Sequence, residues 1–203
     1  MSFKIRYVDE YPQWDALPVA SLRHFPFTED DYKPYTQFRL CFLAGKGLLV
    51  RGWAFENLVK ADVFADSKEP LLTDSCLSIA MNFYPETSGK ALLFTINKNN
   101  VIEAMVFGDG KPAQRTPFVA EVKEYQGEDN QGIFWSREFL IPTQLLQTTY
   151  GQNDIRPGSK LTGNLYKSKL DDTPHFGCFY EMAGAKPTLT DLSSFGEFLI
   201  TEY

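Results

Sequence analysis

The sequence predicts an all-β fold, an antiparallel, jelly-roll-like β-sandwich with one short helix. Three observations predict it. Apolar and polar residues alternate with period two in some nine or ten short runs. Turns bearing glycine, proline or asparagine separate the runs, and only residues 142–151 carry helix signals at both ends. At 203 residues the chain suits one large β-domain, since sandwiches reach about 200 residues without dividing. No internal repeat or linker-like change of composition divides it. The expected unit is residues 1–203, with residues 1–35 wrapping onto the core.

Taken in order, residues 4–8 read as a short strand. The following segment through Trp14, Pro18, Pro26 and Pro34 is too proline-broken for a helix and too apolar for disorder. Residues 36–43 and 48–55 read as a hairpin about Ala44-Gly45-Lys46-Gly47, where glycine supplies positive φ. In the second strand Leu49, Arg51, Trp53 and Phe55 share one face and Leu48, Val50, Gly52 and Ala54 the other. Trp53 is therefore either a core anchor or an exposed stacking platform. Residues 56–70 do not alternate and contain Asp62, Asp66 and Glu69. Calcium needs several hard oxygen ligands, but the spacing lacks the Asp-x-Asp-x-Asp-Gly order, so a solvated acidic loop is the plainer reading.

Residues 74–83 alternate cleanly, with Leu77, Ile79, Met81 and Phe83 on a core face and Cys76, Ser78, Ala80 and Asn82 on a small, polar one. Strands follow at 91–97 and 101–107, then a loop at 108–116. A pair at 117–125 and 132–141 surrounds Gln126-Gly127-Glu128-Asp129-Asn130. In the second of these Trp135 shares a face with Ile133, Phe139 and Ile141, which marks it as core. Pro142 at the start, Leu145-Leu146 and the closing Gly151 define the helix. The strand 160–168 then places Asn164 and Tyr166 on one face and Leu161, Gly163 and Leu165 on the other.

Composition narrows the function. With 20 basic and 26 acidic residues the net charge is −6, and no Lys/Arg-rich run supplies the footprint that nucleic acid requires. No apolar stretch has signal-peptide or membrane-span length, so the chain as given reads as cytoplasmic, or extracellular if a leader has been removed. Cys41, Cys76 and Cys178 are far apart and odd in number, without a CxxC pair; Cys41 and Cys76 read as small buried thiols. Catalytic constellations are weak. There is no Gly-x-Ser-x-Gly, and His24 and His175 are the two imidazoles. Cys178 lies three positions from His175, on opposite sides of an extended segment, and Asp171-Asp172 read as a solvated loop tip.

Sugar recognition fits better. Sugars show apolar C–H faces and a rim of hydroxyls, so aromatic planes combined with amide, carboxylate or cationic donors recognise them. The end of the chain is rich in these groups: Asn164, Tyr166, Lys167, His175 and Phe179.

Asp74-Ser75-Cys76-Leu77, Asn82-Phe83 and Leu93-Phe94-Thr95-Ile96-Asn97 resemble the paired central strands of the family 9 carbohydrate-binding modules. The run from Trp135 to Pro142 is similar to the family's tryptophan-led strand ending in Ile-Pro before a short helix. Gly163-Asn164-Leu165-Tyr166-Lys167, Thr173-Pro174-His175-Phe176-Gly177 and Phe195-Gly196-Glu197-Phe198 resemble its closing segments, in the family's order, over roughly residues 36–202. The resemblance implies an antiparallel sandwich without catalytic activity, with structural calcium in several members, that grips sugar chain ends between two tryptophans. Departures are visible: Leu77-Ser78 replaces a carboxylate-bearing pair, residues 71–72 hold no tryptophan, and Phe179 stands where relatives place one.

The expected function is non-catalytic binding of a mono- or oligosaccharide. The expected site is an open polar face at Asn164, Tyr166, Lys167 and His175, with Phe179 or Trp53 as the stacking surface. No cofactor beyond the implied calcium is expected. The alternative is a sandwich that has lost sugar binding and serves as a protein-interaction or structural module.

Overall fold

The computed structural model describes residues 2–28 and 32–203. In chain order the strands are β1 (Phe3–Val8), β2 (Val19–Ser21), β3 (Thr36–Leu43), β4 (Gly47–Phe55), β5 (Cys76–Asn82), β6 (Lys90–Asn97), β7 (Ile102–Gly108) and β8 (Lys111–Arg115). They continue as β9 (Lys123–Asp129), β10 (Gly132–Pro142), β11 (Lys160–Lys169), β12 (His175–Cys178) and β13 (Gly196–Glu202), with helix α1 (Thr143–Tyr150) after β10. One continuous ladder runs β8-β7-β6-β5-β11-β13-β1-β3-β4-β10-β9, with β12 added beside β11 and β2 beside β3.

The sheet curls into a sandwich because its alternating strands bury one face each. Leu77, Ile79 and Met81 of β5 join Phe38 and Leu40 of β3, Val50 of β4 and Phe139 of β10 in one core. Phe94 and Phe139 approach to 6.2 Å across it. Gly52 is required by this closeness: a Cβ there would lie 2.7 Å from the Phe38 ring and 3.2 Å from Leu77. Leu145 and Leu146 attach α1, which ends at Gly151 with φ 74°. Among the described residues no helix is long and apolar enough to cross a membrane.

The all-β class and the helix stand as the sequence predicts; four details differ. β1 does not wrap the outside: it lies within the sheet, parallel to both β13 and β3. The sheet is thus mixed. Residues 111–115 form β8, turned from β7 by Asp109 (φ 53°) and Gly110 (φ 69°), the Asp-Gly pair suited to a tight hairpin. β9 begins at Lys123 and extends to Asp129, so residues 117–122 are not strand.

The polar face of β5 is not open. Ala80 and Tyr166 lie beneath Phe176, Met182 and Leu189, a second small core made by β12 and the segment after it. Ser78 and Thr95 hydrogen-bond each other there at 3.0 Å.

Candidate functional site

The register of the last strands assembles a site that no single segment displays. Gln37, Trp53, Ser136 and Tyr125 stand in one row across β3, β4, β10 and β9. Arg39, Arg51, Glu138 and Lys123 form the next row. Phe55, Phe134 and Gly127 form the row on the other side. Since Phe38, Val50, Ala54, Trp135 and Phe139 point into the core, these rows face outward. Trp53 and Tyr125 lie two strands apart, about 10 Å, with the small Ser136 between them. Asp15, Arg39 and Arg51 help close an open cleft of about 320 Å³ over this row.

Its rear wall is built around Glu138, whose side chain is 2% exposed. Tyr11 Oη donates to Oε1 at 2.5 Å, and Arg51 donates through Nε at 3.0 Å and Nη2 at 2.6 Å to Oε2. Lys123 stands 3.6 Å from Oε1. The Arg51 guanidinium is clamped between the Trp14 and Tyr125 rings, 4.4 Å from each centroid. A buried carboxylate with a side-on guanidinium and two ring faces leaves Arg51 and Tyr125 little freedom. The cleft is preorganised there.

Arg39 is held differently. It lies 5.5 Å from the Trp53 ring, and its Nη1 donates at 2.5 Å to Asp15, a carboxylate fully in solvent. That hydrogen bond, and then the guanidinium charge, hold the Asp15 carboxyl below the usual range. Among the described residues Arg39 Nε and Ser136 Oγ are enclosed without a hydrogen-bond partner, and both residues line the cleft. Each such atom costs about 1–3 kcal/mol until something bonds it.

The residues expected to form an open polar face are elsewhere, and four of them are buried. Asn164 is fully buried: Nδ2 donates to the carbonyls of Tyr180 at 2.9 Å and Ser194 at 3.0 Å, and Oδ1 accepts from Tyr180 N at 2.9 Å. It staples the closing segment to β11. Tyr166, also fully buried, packs on Phe176 at 5.6 Å, and burial raises its phenol pKa. Phe179 packs edge-on against Phe3 at 5.5 Å. Neither Asn164 nor Tyr166 offers a ligand an accessible surface; the expected open face is corrected to an interior one. Trp53 is the expected residue that the structure places on an open, aromatic-rich face.

Lys167 and His175 belong to a buried polar cluster. Lys167 Nζ lies 3.2 Å from Glu56, and both side chains are 0% exposed. Glu56 also accepts from Ser75 Oγ at 2.8 Å and Trp135 Nε1 at 3.1 Å. Lys167 Nζ lies 2.8 Å from His175 Nε2, which is also 3.5 Å from Glu56 Oε1. Burial, then the charges of Lys167 and Lys169, hold the imidazole neutral down to about pH 3. Desolvation likewise lowers the Lys167 pKa. His175 forms part of the floor of a separate cavity of about 420 Å³ walled by Leu58, Tyr32 and Pro174.

Among the described residues, Asp62, Asp66 and Glu69 of the acidic loop do not converge as a metal-binding group. Asp74 accepts Asp62 N at 3.0 Å, Val63 N at 2.9 Å and Asn97 Nδ2 at 2.9 Å, so both its oxygens already have N–H donors. Among the described residues no three carboxylate, thiol or imidazole groups converge as a metal site. Asp171 is not a bare loop tip, since it lies 3.4 Å from both Lys60 and Lys169.

Sequence reasoning missed Glu138, Arg51, Tyr125 and Ser136 as a set. Their residue types were visible, but the cross-strand register that aligns them was not.

No protein-family model matches the chain, and no curated protein matches it. Among solved structures it is similar to a protein from Bacteroides uniformis ATCC 8492, provisionally named a carbohydrate-binding protein. The TM-score is 0.76 at 18% identity, covering 98% of each chain. At that identity the likeness establishes the shared all-β fold.

Proposed function

We propose that this protein is a non-catalytic carbohydrate-binding protein whose site is the cleft between Trp53 and Tyr125. The observation that carries the reading is the pairing of two outward aromatic rings with the Arg51 guanidinium that buried Glu138 holds beside them. Rings take the apolar faces of a sugar, while Arg39 and Asp15 meet its hydroxyls. The name of the similar B. uniformis protein supports the same class, as do the family 9-like segments. The site proposed here replaces the family's two-tryptophan clamp, because the corresponding face of β5 and β11 is filled by Phe176, Met182 and Leu189.

The test is calorimetric titration of wild type, Trp53→Ala and Tyr125→Ala with a panel of mono- and oligosaccharides, with circular dichroism confirming the fold. Saturable wild-type binding that weakens by about tenfold or more in each variant, about 1.4 kcal/mol, is expected. A flat panel with folded wild type, or binding indifferent to both substitutions, would refute the proposal and redirect the search to protein partners.

A further inference from the structure

The aromatic surface of the cleft extends past Trp53 and Tyr125. Two residues along the strands from Trp53 and Ser136, an advance of about 7 Å, Phe55 and Phe134 face outward with ring centroids 5.5 Å apart. Beyond them Tyr35, 41% exposed, meets Phe55 at 5.6 Å. Its position is fixed by the backbone bond from Phe55 N to Tyr35 O at 2.9 Å. Gly127 makes room for the Phe134 ring: a Cβ there would come within 3.1 Å of it. The rings therefore form a diagonal strip from β9 across β10 and β4 to the start of β3, about 14 Å over three strand spacings. Its polar flank is Gln37, which donates to Ser21 Oγ at 2.7 Å and Tyr35 Oη at 2.6 Å.

A strip of that length spans about three sugar rings, and its Phe55, Phe134 and Tyr125 line the same open cleft as Trp53. Resting on the carbohydrate reading above, we infer that this face takes an internal stretch of one extended glycan chain rather than a chain end. Equatorially linked backbones, such as those of cellulose, xylan and mannan, fit best, because extension leaves the apolar face of each ring exposed. The strip is not flat: Tyr35 and Phe55 are inclined by 47°, and Phe55 and Phe134 by 48°. Such tilted planes match a soluble, twisted chain and cannot lie flush against a crystalline polysaccharide surface.

The experiment titrates wild type, Phe134→Ala and Phe134→Leu with cello-, xylo- and manno-oligosaccharides from one to six units. The hexasaccharides are also tested after borohydride opening of their reducing ends. Affinity should climb about tenfold or more between disaccharide and tetrasaccharide, and reduction should leave hexasaccharide affinity within about twofold. Both Phe134 variants should lose hexasaccharide affinity, with Leu the milder; Leu guards against misfolding of the Ala form. Equal affinity for monosaccharide and hexasaccharide, or loss of binding on reduction, would overturn the internal-chain inference and leave the carbohydrate reading standing. No binding of any oligosaccharide by folded wild type would overturn both.

Discussion

Lys167 and Glu56 provide a sharp test of how the interior is held. Both side chains are 0% exposed and 3.2 Å apart. In Lys167→Met the methionine fills much of the lysine's volume but removes its charge, leaving Glu56 with Ser75 and Trp135 as neutral donors. A buried carboxylate stripped of its counter-ion costs about 3–5 kcal/mol. For a protein of this size that corresponds to a fall of about 6–20 °C in Tm. Urea unfolding at neutral pH, followed by tryptophan fluorescence and extrapolated linearly, should show that loss with an unchanged m-value. Adding Glu56→Gln should restore most of it, because an uncharged pair carries no comparable desolvation penalty. A single-variant loss below about 1 kcal/mol, or a double variant no more stable than Lys167→Met, would refute the argument.

Further outcomes follow from other residues. The unfolded chain takes a proton on His175 below its ordinary value of 6.5, which the native state refuses down to about 3. This contribution is whole above pH 6.5 and lost as pH falls toward 3, by up to about 1.4 kcal/mol per pH unit. His175→Gln should flatten that slope in urea titrations across the window, and an unchanged slope would contradict it. Gly52→Ala should cost about 1–3 kcal/mol in the same assay, because its methyl group meets Phe38 and Leu77; a neutral result would show that the two sheet halves can part. The three cysteines are buried, and burial pushes Cys178 to about 11 and Cys41 to about 12. Ellman's reagent at mild alkaline pH should therefore titrate them after denaturation and not before; rapid native reaction would argue against the closed interior.

The fold was legible wherever one strand carried its own pattern. Residues 36–43, the Pro142–Gly151 helix and the burial of Trp135 follow from alternation and caps alone. The place of β1 was not, because a short strand looks the same at an edge and inside a sheet until its partners are known. Asn164 and Tyr166 read as an open face because alternation reports which residues share a side, not what later covers it. Their cover, Phe176, Met182 and Leu189, lies beyond the strand itself. Trp53 was visible as a candidate. Its companions Tyr125, Ser136 and Glu138 depended on a register that brings residues more than seventy positions away beside it.

The parallel pairing of Phe3 with Phe198 and of Tyr7 with Glu202 has a consequence for biosynthesis. β1 leaves the ribosome nearly two hundred residues before its neighbour β13, yet that ladder joins the two halves of the sheet. Among the described residues the isolated bridge of His24 to Cys178 likewise joins segments far apart in the chain. The hairpins β3–β4 and β5–β6 can form while translation continues, but the sandwich cannot close until β13 is free. A nascent chain stalled short of residue 196 should therefore remain protease-sensitive, with β1 waiting for a partner that has not yet been made.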